Sequence, residues 1–425
     1  MHHFQFRNGE LYAEEIPVKE IARKVGTPFY LYSTATLRRH FRVFDKAFGS
    51  LPHLVCYSVK ANSNLAVLRL FAKEGSGADI VSGGELYRAL KAGIPPEKIV
   101  FSGVGKTPKE MREALKAGIL MFNVESLGEL KTLSKVARSL GKVAPVAIRI
   151  NPDVDPKTHP YISTGLQKNK FGLDLETALK AYLFAQKDPH LQILGIDCHI
   201  GSQLTEVSPF VEALRRVKAF IKRLDREGIK IRYLDLGGGL GIVYGDEAPP
   251  PPEEYAQAII EELKDLEVIL ILEPGRVLVG NAGILITRVL YYKETPVKKF
   301  LIVDAGMNDL LRPAFYKAYH EIVPVSLCKD RPNIIVDVVG PICETGDFLA
   351  QDRQLPLVKP GELLAVMSAG AYGFVMSSNY NSRPRPPEIL VHRDQYFVIR
   401  KRESYNRLVA GEKIPTFLTE DSKLE

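Results

Sequence analysis

A chain of 425 residues, 45% hydrophobic and 25% charged, has the composition of an ordinary folded protein and is long enough for two domains. No apolar run approaches the length that spans a bilayer, and the opening Met1-His2-His3-Phe4-Gln5-Phe6-Arg7 lacks the apolar core of a secretory leader, so a cytoplasmic protein without a membrane segment is expected. The net charge of +7 is spread as alternating basic and acidic residues, which argues against nucleic-acid binding and suits the steering of an anionic metabolite.

Residues 1–34 are mixed polar and apolar, and Phe29-Tyr30-Leu31-Tyr32 reads as a strand without a nearby partner, so this segment is expected to join a domain completed later in the chain. From residue 35 the pattern becomes strand, loop and helix, repeated. Candidate strands cover 53–60, 77–82, 99–103, 119–124, 143–150, 193–200, 231–237 and 268–273. Between them lie amphipathic stretches such as 64–74, which Gly75 would close as a C-cap. Eight strands alternating with helices predict an α/β fold, a (β/α)8 TIM barrel over residues 35–290.

The first of these strands ends in Cys56-Tyr57-Ser58-Val59-Lys60-Ala61-Asn62. Val55, Tyr57 and Val59 share one parity and would pack on helices, while Cys56, Ser58 and Lys60 would point into the barrel, with Lys60 at its C-terminal mouth. The same rule places Asp79, Asn123, Arg149, Asp197, His199, Asp235 and Glu273 inside. Barrel interiors are normally filled by branched apolar side chains, and an isolated buried charge is costly unless paired. A self-satisfied polar network and a mouth that holds a polar ligand both remain open, and convergence from most of the strands favours the ligand.

The seventh strand runs into Asp235-Leu236-Gly237-Gly238-Gly239-Leu240-Gly241. Backbone without Cβ atoms can close on an anion there, and the loops after strands seven and eight are a recurrent phosphate site in this fold. Pro249 to Pro252 reads as a stiff connector into a helix starting near Glu253. The eighth strand ends in Glu273-Pro274-Gly275-Arg276, beside the first strand once the barrel closes. Glu273 and Lys60 would form a salt bridge, or would serve a larger ligand. Pyridoxal phosphate needs a lysine for its aldehyde, a glycine loop for its phosphate and an acid for its ring nitrogen. Lys60, Gly237 to Gly239 and Glu273 supply the three, and His199 would lie flat against the ring.

Tyr57-Ser58-Val59-Lys60-Ala61-Asn62, His199-Ile200-Gly201-Ser202-Gln203, the glycine triplet and Glu273-Pro274-Gly275-Arg276 resemble the fold-type III pyridoxal-phosphate decarboxylases, which share the alanine racemase barrel. The resemblance covers nearly the whole chain. Within that group, His159-Pro160-Tyr161-Ile162-Ser163-Thr164-Gly165 and the stretch from Met376 to Pro386 resemble the diaminopimelate decarboxylases, with Ser58 standing where an alanine is more usual. The resemblance implies Lys60, His199, Ser202, Gly237, Gly238, Gly239, Glu273, Gly275, Arg276 and Tyr372 as cofactor residues. It also implies an active site completed by the other subunit of a homodimer, and decarboxylation of meso-2,6-diaminopimelate to L-lysine.

After residue 290 the alternation with helices stops. Segments 300–304, 333–339 and 363–366 read as strands between Gly and Pro turns, so residues 1–34 and 291–425 are expected to form a second, all-β domain beside the mouth. From the residues alone, Cys343 beside Pro341 and Ile342 reads as a small buried hydrophobe, Arg312 before Pro313 as an exposed turn residue, and Tyr372 as an aromatic covering a sheet edge. The resemblance implies other roles. Cys343 would be the proton donor and Glu344 a partner of the substrate amine, both reaching across the dimer, while Arg312 and Tyr316 would hold the distal carboxylate. Arg276 and Tyr372 would touch both substrate and cofactor. A decarboxylase of ornithine, arginine or carboxynorspermidine would want an acid where Arg312 stands, a racemase would want a tyrosine opposite the lysine, and a silent regulatory barrel should have lost Lys60 or Cys343. The four cysteines, Cys56, Cys198, Cys328 and Cys343, show no metal-ligand spacing; no metal is expected, and a reduced compartment fits.

Overall fold

The structure, a computed structural model, describes residues 2–154, 170–327 and 331–418. The 159–165 motif and Cys328 therefore lie outside the described residues. Three short strands, β1 (Phe4–Arg7), β2 (Glu10–Ala13) and β3 (Ile16–Pro17), form a small antiparallel sheet, and β4 (Phe29–Ser33) follows. The barrel strands are β5 (His53–Ser58), β6 (Gly77–Ile80), β7 (Ile99–Phe101), β8 (Met121–Val124), β9 (Ala144–Arg149), β10 (Leu191–Asp197), β11 (Tyr233–Asp235) and β12 (Ile269–Leu272). All are parallel, neighbours in the chain are neighbours in the sheet, and β12 pairs with β5 to close the (β/α)8 barrel expected from the alternation. Helices between them start on side chains that accept an otherwise unpaired backbone N–H: Asn64, Ser82, Thr107 in a capping box with Glu110, Ser126 and Asp174.

The pleat explains where the polar mouth comes from. Below it, Cys56, Val100, Met121, Ala147 and Ile271 pack together as an apolar layer inside the barrel. Two residues further along the same strands stand Ser58, Ser102, Asn123, Arg149 and Glu273, and the register sets Asp79 beside Ser58 and Asp197 beside both Arg149 and Asp235. One layer therefore seals the barrel and the next carries the chemistry. Tyr57, of opposite parity, packs outward on Phe71 at 4.6 Å between ring centroids. The paired strands are shorter at their C-terminal ends than the sequence pattern suggests. Val59–Ala61 forms a 3-10 turn, so Lys60 is aimed by that turn and not by strand parity.

Beyond the barrel come β13 (Gly283–Glu294), β14 (Lys299–Val303), β15 (Ile322–Pro324), β16 (Asn333–Val339), β17 (Phe348–Pro356), β18 (Leu363–Val366), β19 (Glu388–His392) and β20 (Gln395–Arg400). They form a mixed sheet in the order β17-β16-β14-β13-β4-β19-β20, with β18 pairing both β13 and β15. β4 thus finds its partners late in the chain, antiparallel to β13 and parallel to β19. Its run of apolar residues has two buried faces: Phe29 and Leu31 pack with Ile284, Ile286 and Val391, whereas Tyr30 and Tyr32 join the barrel-side core.

This sheet is sutured to the mouth around Lys60. The Tyr372 N–H donates to Ala61 O at 2.8 Å, the Asn62 amide to Gly370 O at 3.3 Å, and the Asn64 amide to buried Glu388 at 2.8 Å. Tyr372 is held with φ +55°, in the left-handed region that costs a bulky residue energy, so this loop is fixed by its surroundings and not by its own preference.

Candidate active site

The mouth opens into a cleft of about 490 Å³ lined by Lys60, His199, Arg276, Arg312, Tyr316 and Tyr372. A narrower recess continues from it past Ser58, Gly237 to Gly239, Glu273 and Gly275. Lys60 does not pair with Glu273. Its ammonium donates to Asp79 Oδ2, an oxygen also 2.8 Å from the Ser58 hydroxyl, because the β5–β6 register places Asp79 directly beside Ser58. Burial alone would lower the Lys60 pKa, but Asp79 and Glu273 outweigh it and raise it.

Glu273 is instead held from below. Ser102 Oγ lies 3.1 Å from its Oε1, and the Asn123 amide donates to Asp235 Oδ2 at 2.9 Å and to Ser102 Oγ at 3.1 Å. Burial, then the neighbouring Asp235 and Asp79, push the Glu273 carboxyl well above its ordinary range, and burial raises Asp235 to about 6. Arg149 offsets part of the cluster, 2.9 Å from Glu125 and 3.8 Å from Asp197.

His199 follows the end of β10. The Gly238 N–H donates to its Nδ1 at 3.2 Å, and burial, Arg149 and Lys60 lower its pKa well below the ordinary value, so the ring is neutral with its proton on Nε2. The glycine loop is shaped by the same contact. Gly237 (φ +63°) has no room for a Cβ against the His199 ring, and a Cβ on Gly239 (φ +120°) would stand 2.6 Å from Gly201 O. Ser202 and Arg276 flank this loop, the guanidinium donating to Ser202 Oγ at 3.0 Å and to Tyr244 Oη at 2.7 Å, while its buried Nε has no partner among the described residues. These groups fit pyridoxal phosphate: an amine, a buried carboxyl, a neutral flat ring and a side-chain-free loop beside an incompletely satisfied guanidinium, all lining one recess.

Arg312 starts the short helix Arg312–Tyr316 and is 6% exposed, so it is not the exposed turn residue that its neighbour Pro313 suggests. Its guanidinium lies 4.4 Å from the centre of the Tyr244 ring and 2.8 Å from His320 Nε2. Tyr372 does not cap a sheet edge; its ring stands 4.9 Å from the Arg276 guanidinium, inside the cleft. Cys343 is not a buried hydrophobe. It and Glu344 sit on an exposed loop held by Asp347, which accepts from Ile342 N at 2.6 Å, and by Asn381, which accepts from Cys343 N at 2.9 Å. Neither residue lines the cleft of its own chain. Tyr244 and His320, which shape the arginine side of the cleft, carry no motif of their own. A tyrosine closing the glycine loop was the only available signal.

Residues 34–280 match the family model of the pyridoxal-dependent decarboxylases, pyridoxal binding domain. Diaminopimelate decarboxylase of Vibrio cholerae is 54% identical over 418 residues, covering 97% of this chain and 99% of the relative, and that of Aquifex aeolicus is 53% identical over 408 residues, covering 96% of each. The chain belongs to the diaminopimelate decarboxylase family. Among solved structures, Helicobacter pylori diaminopimelate decarboxylase, complexed with L-lysine, superposes with a TM-score of 0.90 at 47% identity, covering 92% of this chain and 98% of that one. Membership makes the protein a pyridoxal-phosphate-dependent carboxy-lyase. Among the described residues, no helix is long and apolar enough to cross a membrane.

Proposed function

We propose that this protein decarboxylates meso-2,6-diaminopimelate to L-lysine and CO2, as a cytoplasmic homodimer in which each cleft is completed by the partner. The observation that carries the substrate choice is Arg312, a buried guanidinium whose partners among the described residues are a neutral imidazole and an aromatic face, with no carboxylate. A cation that cannot shed its proton calls for an outside anion, and a planar fork suits a carboxylate. Ornithine and arginine would instead bring a distal cation to it.

Pyridoxal phosphate, when bound, supplies the electron sink for the breaking bond between Cα and its carboxylate. Lys60 would hold the cofactor through its aldehyde, its amine being the nucleophile. Glu273 would keep the ring nitrogen protonated, and His199 would lie against the ring as a neutral plane. Gly237, Gly238, Gly239, Ser202, Gly275, Arg276 and Tyr372 would receive the phosphate and the reacting end of the substrate. Arg312 and Tyr316 hold the distal carboxylate. Cys343 and Glu344 are exposed and stand outside the cleft of their own chain, which supports their entry into the partner's cleft. There the Cys343 thiol returns a proton to Cα and recovers it from solvent, and Glu344 receives the distal amine.

The test is CO2 release by the holoenzyme from meso-diaminopimelate beside L-ornithine and L-arginine. Release from diaminopimelate alone is expected, and release from ornithine or arginine would overturn the substrate assignment. Mixing Lys60→Ala with Cys343→Ala subunits tests sharing, because heterodimers should regain one intact site. No recovery in confirmed heterodimers would contradict it.

A further inference from the structure

His320 lies just before β15, and Met367 just after β18, the strand that pairs with it, so the antiparallel register brings the two together at the edge of the cleft. The imidazole is fully buried. Its Nδ1 is 2.8 Å from the Met367 carbonyl oxygen, and its Nε2 is 2.8 Å from Nη1 of Arg312. The Arg353 guanidinium donates to its backbone carbonyl at 2.8 Å, and the Tyr244 ring meets it edge-on at 5.3 Å.

The protonation state follows from the partners. A carbonyl only accepts and a guanidinium only donates, so Nδ1 must carry the proton and Nε2 must offer its lone pair. No other form of the ring satisfies both contacts. Burial and the nearby Arg312 hold the His320 pKa down to about 3, in line with a ring that stays neutral.

A neutral acceptor does something here that a carboxylate would not. A buried Asp or Glu in this place would fix Arg312 equally well but would pair with its charge. His320 and the face of Tyr244 fix the guanidinium from two sides, and among the described residues no carboxylate pairs with its charge. Taking the Arg312 role above as given, we infer that His320 is a positioning residue for substrate choice: its Nε2 lone pair holds one arm of the Arg312 fork, so that the rest of a fully charged guanidinium faces the cleft for the substrate's distal carboxylate.

Two near-isosteric amides test this. In His320→Asn the amide reaches only the Nδ1 position, so the donor to Met367 survives and the acceptor for Arg312 is lost. In His320→Gln the amide oxygen reaches the Nε2 position and the acceptor is restored. L-Lysine keeps the distal carboxylate of the substrate and 1,5-diaminopentane has none, so the pair of ligands isolates that contact. In the holoenzyme, His320→Asn should raise the KM for diaminopimelate and the Kd for L-lysine about tenfold, the scale of one charged hydrogen bond, while kcat changes far less and diaminopentane binds as in the parent. His320→Gln should recover most of both losses. Equal behaviour of the two amides, or parallel weakening of lysine and diaminopentane, would reduce His320 to a packing residue. Arg312→Met, run alongside, separates the two levels. If it weakens lysine alone while His320→Asn does not, the His320 inference fails by itself; if it leaves lysine binding unchanged, the Arg312 assignment and the inference resting on it fail together.

Discussion

The two sides of the cleft bury charge in opposite ways. On the barrel side, Asp79, Asp197, Asp235 and Glu273 share one enclosed space and are answered internally, by Lys60, by Arg149 and by Asn123, while burial pushes Asp197 and Glu273 up towards their neutral forms. On the other side, Arg276 and Arg312 pack on Tyr244, Tyr372 and His320 with no carboxylate among their described partners. A carboxyl can take up a proton when it is buried; a guanidinium cannot shed one at any ordinary pH. The carboxylate cluster thus has counterparts within the fold, whereas the arginine pair has none among the described residues, which fits the anion-binding role proposed for it.

The largest effect should come from breaking the barrel side at its nucleophile. Lys60→Ala should abolish turnover and the absorbance of covalently held cofactor, and retention of that absorbance would remove Lys60 from its role. Next is the arginine side. Arg312→Met should lower kcat/KM for diaminopimelate by roughly 10- to 100-fold, the scale of a lost charge-assisted contact, and mostly through KM in steady-state assays.

The third prediction sets the two sides against each other through pH. Asp235 titrates at about 6 in the fold against an ordinary 3.8, so the native state binds the extra proton and loses this stabilisation as pH rises through that window. Glu273, also raised by burial, follows the same trend, and Glu273→Gln should flatten the fall in the urea midpoint of cofactor-free protein with rising pH while impairing turnover. His320 has the opposite sign. It is lowered from 6.5 to about 3, the unfolded chain binds the extra proton, and stability falls as pH drops through that range. His320→Gln should flatten the acid limb instead. An acid limb unchanged in His320→Gln would contradict a neutral buried ring.

The smallest effect expected is that of Ser58→Ala. The hydroxyl lies 2.8 Å from Asp79 Oδ2, but Lys60 still donates to that oxygen, so the cost should stay near ~1 kcal/mol in thermal or urea unfolding. A much larger loss would mean that the serine, and not the lysine, anchors Asp79.

The barrel side was legible in the sequence because period-two alternation on eight strands is a local signal, and it located Asp79, Asn123, Arg149, Asp197, Asp235 and Glu273 without any partner being known. What alternation could not supply was pairing. Whether Lys60 meets Glu273 or Asp79 depends on the β5–β6 register and on a 3-10 turn, neither written in the spacing. The arginine side was almost silent. Tyr244 comes from the loop after β11, and Arg312 and His320 from the short helix Arg312–Tyr316 and the turn after it; their burial is set by the docking of the β-sheet on the mouth, so the residues alone misplaced Arg312 as exposed and Cys343 as buried. Only the family resemblance pointed to Arg312, and nothing pointed to His320.

The most direct test of the uncompensated arginine side is a crystal structure of the holoenzyme with L-lysine bound. The account predicts the lysine carboxylate on the Arg312 guanidinium, with His320 Nε2 still holding its other arm. A carboxylate placed on Arg276 or elsewhere, with Arg312 left without an anion, would contradict it.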